Sequence, residues 1–100
     1  MRELDRVGAA DFSPHLHDTF RVVTDGSVSC ELELVEVHDT GRASPTRKQS
    51  PFSLLFKGPR DNLLPQQLYR IENEKLGPMD MFIVPVRADQ DGYYYEAVFN

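Results

Sequence analysis

Three histidines, His15, His17 and His38, are the residues of this chain best suited to bind a metal ion or to transfer a proton. His15 and His17 are separated by one residue, so an extended backbone would place both imidazoles on the same side. Asp18 or Asp39 could then supply a third ligand. This spacing is common by chance, and the pair has no cysteine or glutamate partner at ligand spacing. The sequence therefore predicts solvent-exposed histidines around a cap, with no metal and no cofactor.

Side chains that could act as nucleophiles or as acid–base pairs lack the sequence context that such chemistry requires. Ser50 and Ser53 do not lie in a Gly-x-Ser-x-Gly turn. Cys30 is the only cysteine, which excludes an internal disulfide, and its place among alternating apolar residues predicts a buried, inert thiol. An acidic stripe follows it, formed by Glu31, Glu33, Glu36 and Asp39. The sequence shows no apolar pocket that would raise the pKa of one carboxyl, so we expect a solvated strand face and a protein that is not an enzyme.

Composition restricts the partners and the compartment. A chain of 100 residues is long enough for one domain with one core. Its net charge of -5 and its pI near 5.0 repel phosphate groups, so we expect neither a nucleic-acid nor a membrane partner. The first residues are charged, and no stretch approaches the roughly 18 apolar residues of a membrane span. We therefore expect a cytoplasmic protein.

Turn residues and apolar alternation predict six strands after a short N-terminal helical turn. Residues 1–11 have the pattern of a frayed lead-in, and Ser13-Pro14 matches an N-cap followed by the first residue of a helical turn that reaches about Asp18. The predicted strands cover residues 20–24, 27–37, 52–57, 66–72, 81–86 and 93–99. A helix remains an alternative for 66–72, because Leu68 and Ile71 also have helical spacing. The expected fold is all-β, a small antiparallel six-stranded barrel or sandwich in a single domain, 1–100.

Three details of the strands can be predicted. A β-bulge near Leu34-Val35 would reconcile the two phases of apolar residues in the second strand. Residues 81–86 are apolar on both faces, which predicts a strand covered from both sides or bent at a barrel corner. Pro85 within it requires an edge or a bulge. After the Asp91-Gly92 turn, one side of the last strand is predicted to face the core: Tyr93, Tyr95, Ala97 and Phe99.

Three segments are candidates for contact with another protein. The loop 38–51 is long and polar, and it carries Arg42, Arg47 and Lys48 on a chain that is otherwise net negative; such loops are either functional or disordered. Leu63 and Leu64 would either form an exposed anchor or cover the barrel end. Tyr94 is the tyrosine that we expect on the outer face, where phenol rings are frequent in interfaces.

These features support two functional hypotheses. The leading one is a non-enzymatic protein-interaction or assembly accessory module whose partner is another protein, with a monomer and a weak homodimer both open. The alternative is a barrel that binds a small apolar ligand among Phe52, Phe56, Tyr69, Phe82 or Tyr95. A six-stranded barrel is close to the size at which side chains fill the interior, which argues against the alternative.

Several segments together resemble a family of bacterial proteins of roughly 100 residues that is classed as a domain of unknown function. The segments lie at residues 12–20, 32–37, 51–59, 65–71, 76–86 and 95–100, the last being Tyr-Glu-Ala-Val-Phe-Asn. The resemblance covers most of the chain. It implies no activity and no functional residues. Some members are encoded beside phage-tail-collar-like proteins, so the resemblance implies an accessory or assembly role.

Overall fold

Six β-strands close into an antiparallel barrel in the computed structural model, which describes residues 8–39 and 51–99. Helix α1 (Ala9–Phe12) and a 3₁₀ helix (Ser13–His15) precede the strands. The strands are β1 (Thr19–Thr24), β2 (Ser27–Asp39), β3 (Phe52–Gly58), β4 (Gln67–Asn73), β5 (Gly77–Asp89) and β6 (Gly92–Phe99). Their order around the barrel is β1-β2-β3-β6-β5-β4, and β4 pairs with β1 to close it. The predicted all-β class is confirmed, as a barrel rather than a sandwich, and residues 67–73 form a strand.

Alternating burial builds the barrel interior. In β3 every second residue is buried, a set that comprises Phe52, Leu54, Phe56 and Gly58. Phe56 meets Phe20 of β1 edge-on, with 5.2 Å between the ring centroids. The predicted core face of β6 is confirmed, with Tyr95 and Ala97 buried and Tyr93 and Phe99 packed half-buried against the core. The interior is therefore filled by side chains, as expected for six strands.

Strands β2 and β5 each have 13 residues and bend from one neighbour to the next. The first half of β2 pairs with β1 and the second half with β3, while β5 pairs first with β4 and then with β6. The register of β2 against β3 shifts between Leu34 and Glu36, which confirms the predicted bulge. The register of β5 against β6 shifts between Pro85 and Arg87, so the proline lies at a bulge and not at an edge.

The N-terminal helix begins earlier than predicted. Its N-cap is Gly8, whose N–H donates to Asp11 Oδ2 at 2.8 Å, and Ser13 instead donates its hydroxyl to the carbonyl of Ala9. Phe12 anchors this helix on the barrel: it is fully buried, and its ring centroid lies 5.8 Å from that of Phe52. The predicted N-cap at Ser13 is therefore wrong, and residues 8–11 are not a frayed lead-in; residues 1–7 lie outside the described part of the chain.

Different segments pack against the two ends of β3. At Phe52, α1 packs its Phe12 ring against Phe52 and Phe99. At Gly58, the loop 59–66 leaves β3 and contributes the buried side chain of Leu64. Within residues 8–39 and 51–99, no helix is both long and apolar enough to cross a membrane.

Candidate protein-contact surface

Each histidine in the structure pairs with one carboxylate. His15 Nδ1 lies 2.9 Å from Asp18 Oδ2, and His17 Nδ1 lies 2.7 Å from Glu33 Oε2. His38 pairs in the same way with its neighbour along β2, Glu36. His17 and His38 are exposed as predicted, but the side chain of His15 is only 13% exposed because it turns back onto Asp18. No group of three or more possible metal ligands occurs among the described residues.

The hydrogen bond from His15 lowers the pKa of Asp18, because it stabilises the ionised carboxylate. Cys30 is half-buried against the core, and desolvation raises the pKa of its thiol. A thiol with a raised pKa is a weak nucleophile at neutral pH. Cys30 is thus half-buried rather than buried as predicted, and the inertness of its thiol stays a prediction.

Glu31 and Glu33 of the acidic stripe line an open groove of about 750 Å³ between β2 and the loop 59–66. Four carboxylates border this groove, from Glu31, Glu33, Asp61 and Asp91, together with the ammonium of Lys57. Glu31 and Asp61 are exposed to water. An acid–base pair would need one carboxyl in an apolar pocket, so the groove matches the predicted solvated face.

Only some of the predicted contact residues lie in the described part of the chain. Arg42, Arg47 and Lys48 lie outside the described residues. The strands that flank them reach that segment at Asp39 and Phe52, whereas the loop with Leu63 and Leu64 follows Gly58 at the other end of β3. Six residue steps along a strand span about 20 Å, so the two loops depart from opposite ends of β3.

Leu63 is exposed and Leu64 is buried. Neither predicted alternative, an exposed anchor or a cover over the barrel end, therefore holds for both residues. Leu63 is 53% exposed, while Leu64 is 6% exposed. The phenol oxygen of Tyr95 makes two hydrogen bonds to this part of the loop. It accepts a hydrogen bond from Leu64 N–H at 2.9 Å and donates to the carbonyl of Asn62 at 3.4 Å. The backbone on both sides of Leu63 is thus held by one buried tyrosine.

Tyr94 lies on the outer side of β6, as predicted, but it is covered. Its residue is only 8% exposed, and the guanidinium carbon of Arg87 lies 4.2 Å from its ring centroid. This cation–π contact, between register partners on β5 and β6, shields the ring from solvent. Tyr94 is therefore not a free contact surface.

A group of exposed apolar side chains lies together on the outer side of β4, β5 and β6. We call it the outer patch and define it by Leu68, Phe82 and Val98, which are 58%, 50% and 57% exposed. Leu68 and Phe82 are register partners on β4 and β5. Val98 lies two residues beyond Glu96, the partner of Val84, and so faces outward as Phe82 does. Sequence reasoning missed this surface as a site.

The signal for the outer patch was present in residues 81–86, whose two apolar faces predicted a strand covered from both sides or bent at a barrel corner. Met81 and Ile83 are buried in the interior as that prediction requires, but Phe82 is half exposed. No described residue covers it enough to bury it, so the first alternative is wrong, and the change of partner along β5 agrees with the second. Phe82 also cannot line an interior ligand pocket, which removes one of the predicted lining residues.

A family model described as Domain of unknown function (DUF6916) matches residues 7–99. This match confirms the resemblance to a domain of unknown function of about 100 residues. No curated protein and no solved structure matches the chain.

Proposed function

We propose that this chain, which belongs to the family described as a domain of unknown function (DUF6916), is a non-enzymatic protein-interaction module that binds through its outer patch. The observation that carries the proposal is the exposure of Leu68 and Phe82 as direct neighbours on β4 and β5. Complete burial of such a side chain contributes about 1.5–3 kcal/mol. A partner that covers this pair would therefore gain free energy that the folded chain leaves unused.

The charges beside the patch indicate the chemistry of the partner. Arg70 lies two residues after Leu68, and its register partner Asp80 lies two residues before Phe82 on the same outer side. Their side chains are 59% and 57% exposed. With Glu96 beside Val84, the surroundings carry both signs of charge. The partner that fits is a protein surface with an apolar centre flanked by one basic and one acidic group. An anionic membrane or a nucleic acid fits poorly, because the chain has a net charge of -5.

The patch is a sheet face and not a cavity, and this shape favours a protein over a small molecule. The rings expected to line an interior pocket contact other rings instead: Phe52 stacks on Phe99 at 4.6 Å and Phe56 packs on Phe20. A role as an accessory to a tail-like assembly, which the resemblance implied, stays a prediction.

The test compares what immobilised variants retain from a lysate of the cells that produce the protein. Phe82→Thr removes the exposed ring and keeps a residue suited to a strand. Val28→Thr is the matched control, because Val28 is 52% exposed on β2, outside the patch. We expect one protein to be retained by the wild type and by Val28→Thr and to be lost with Phe82→Thr, as identified by mass spectrometry. Identical retention by all three proteins would refute a role for the patch.

A further inference from the structure

Two neighbouring register pairs of β4 and β5 each join two different residues that lie at the same height along the strands. Leu68 is the register partner of Phe82, and two residues further Arg70 is the register partner of Asp80. All four side chains point outward and are at least half exposed. The ion pair within the chain is long, at 3.8 Å between Arg70 Nε and Asp80 Oδ1, so both groups keep capacity for a second partner.

This arrangement is complementary to itself. Consider a two-fold axis that runs parallel to β4 and β5, midway between them and in front of the sheet. The rotation places β4 of one copy over β5 of the other without changing the level of any residue. Leu68 then faces Phe82 of the second copy, and Arg70 faces Asp80, each contact occurring twice. Aligned packing of two sheet faces about 10 Å apart is a common arrangement.

We infer that the occupant of the outer patch is a second copy of this chain, held face to face by the Leu68–Phe82 and Arg70–Asp80 contacts around such a two-fold axis. The inference rests on the proposed function, since it names the partner of the same surface. The net charge of -5 opposes approach of two copies elsewhere, whereas the Arg70 and Asp80 charges cancel at the patch. The barrel surface is convex, so the contact area is small and the dimer weak.

The first measurement is sedimentation of the wild-type chain. The average mass should rise from that of one chain, 11.4 kDa, toward twice that value as the concentration increases from about 10 µM to about 1 mM, the range of a small interface. Phe82→Thr should remain a monomer over this range, and Val28→Thr should behave as the wild type. A wild-type chain that stays monomeric throughout would overturn the inference.

The decisive measurement uses two charge reversals, Arg70→Asp and Asp80→Arg. The first variant has two acidic residues at positions 70 and 80, and the second has two basic ones. Each variant alone then places like charges opposite each other across the two-fold axis and should lose at least tenfold in dimer affinity. An equal mixture of the two should recover the affinity, because the acidic pair of one variant then faces the basic pair of the other. Both variants keep a net negative charge, so overall attraction does not explain recovery. The mixture also cannot restore the ion pair within either chain.

Lys75→Asp is the charge-matched control for Arg70→Asp, because Lys75 is exposed in the turn between β4 and β5, outside the patch. It should leave the dimer affinity within about twofold of the wild type. A mixture that stays monomeric while the wild type dimerises would overturn the two-fold arrangement. If the wild type is monomeric but Phe82→Thr still loses a retained protein from the lysate, the second-copy inference fails and the proposed function stands.

Discussion

A single phenol group connects the barrel interior with the exposed loop that carries Leu63. Tyr95 is fully buried in β6, and its oxygen holds Asn62 and Leu64 by hydrogen bonds to the backbone. Burial raises the pKa of this phenol, so the proton that it donates to Asn62 is retained at any physiological pH. The exposure of Leu63 is thus a consequence of a tyrosine 32 positions later in the sequence.

We expect Tyr95→Phe to lower the free energy of unfolding by about 1–3 kcal/mol, because it leaves the buried N–H of Leu64 without its acceptor. Tyr93→Phe, two residues earlier and half-buried, is the control and should change stability by less than about 1 kcal/mol. Urea unfolding followed by circular dichroism measures both. Equal effects of the two substitutions would contradict the role assigned to Tyr95.

At the level of elements, the β5–β6 hairpin approaches β3 more closely than a side chain allows. A Cβ atom added to Gly92 would lie 2.1 Å from the carbonyl oxygen of Gly58. A Cβ atom added to Gly58 would in turn lie 2.7 Å from a methyl group of Leu32. The turn itself is held by Asp89, whose Oδ1 accepts from the N–H groups of Asp91 and Gly92.

We expect Gly92→Ala to destabilise the barrel by about 3 kcal/mol, since a clash with backbone cannot be relieved by a change of rotamer. Gly26→Ala provides the comparison. Gly26 has φ +78 in the β1–β2 turn but nothing within 4 Å of its Cβ position, so the cost should be about 1 kcal/mol of backbone strain. If urea unfolding shows that Gly26→Ala is the more damaging substitution, the close approach of β6 to β3 is wrong.

For the whole molecule, we expect two carboxylates far apart in the sequence to contribute to the acid stability. The pKa of Asp89 is lowered chiefly by the backbone N–H of Asp91, as that of Asp18 is by His15. Because both are lower in the folded chain, the unfolded chain binds more protons as the pH falls. Their stabilising effect is present above the unfolded pKa of about 4 and is lost as the pH falls through the folded values.

We therefore expect the free energy of unfolding to decrease between pH 5 and pH 2.5, and to decrease less in the double variant Asp18→Asn/Asp89→Asn. The variant should be less stable than the wild type at pH 5 and should approach it at pH 2.5. Urea unfolding at a series of pH values gives both curves. Parallel curves would show that these two carboxylates do not account for the pH dependence.

Much of the fold could be predicted because its signals are local. Alternating apolar residues with turn residues between them predicted six strands, and the structure contains all six. In the β1–β2 turn, Asp25 and Gly26 have φ values of 52° and 78°, the conformation that this residue pair favours in a two-residue hairpin. The bulge near Leu34 was predicted from a change of phase within one strand, which is also local information.

The start of the helix could not be predicted in the same way. The Ser13-Pro14 pair satisfies the local rules for an N-cap, yet the chain is already helical at Ala9. Phe12 packs against both Phe52 and Phe99, which are 40 and 87 positions away. Burial of that ring outweighs a capping preference of about 1 kcal/mol, and a local pattern contains no information about so distant a contact.

The sequence by itself determined the all-β class, most of the strands and the inward face of the last one, because a period of two residues assigns side chains to faces before any strand has a neighbour. Only the tertiary structure decided what lies outside those faces. It separated exposed Leu63 from buried Leu64, covered Tyr94 with Arg87, and left Leu68 and Phe82 side by side in solvent. Exposure depends on which strands become neighbours and on what covers them, and these are properties of the closed barrel.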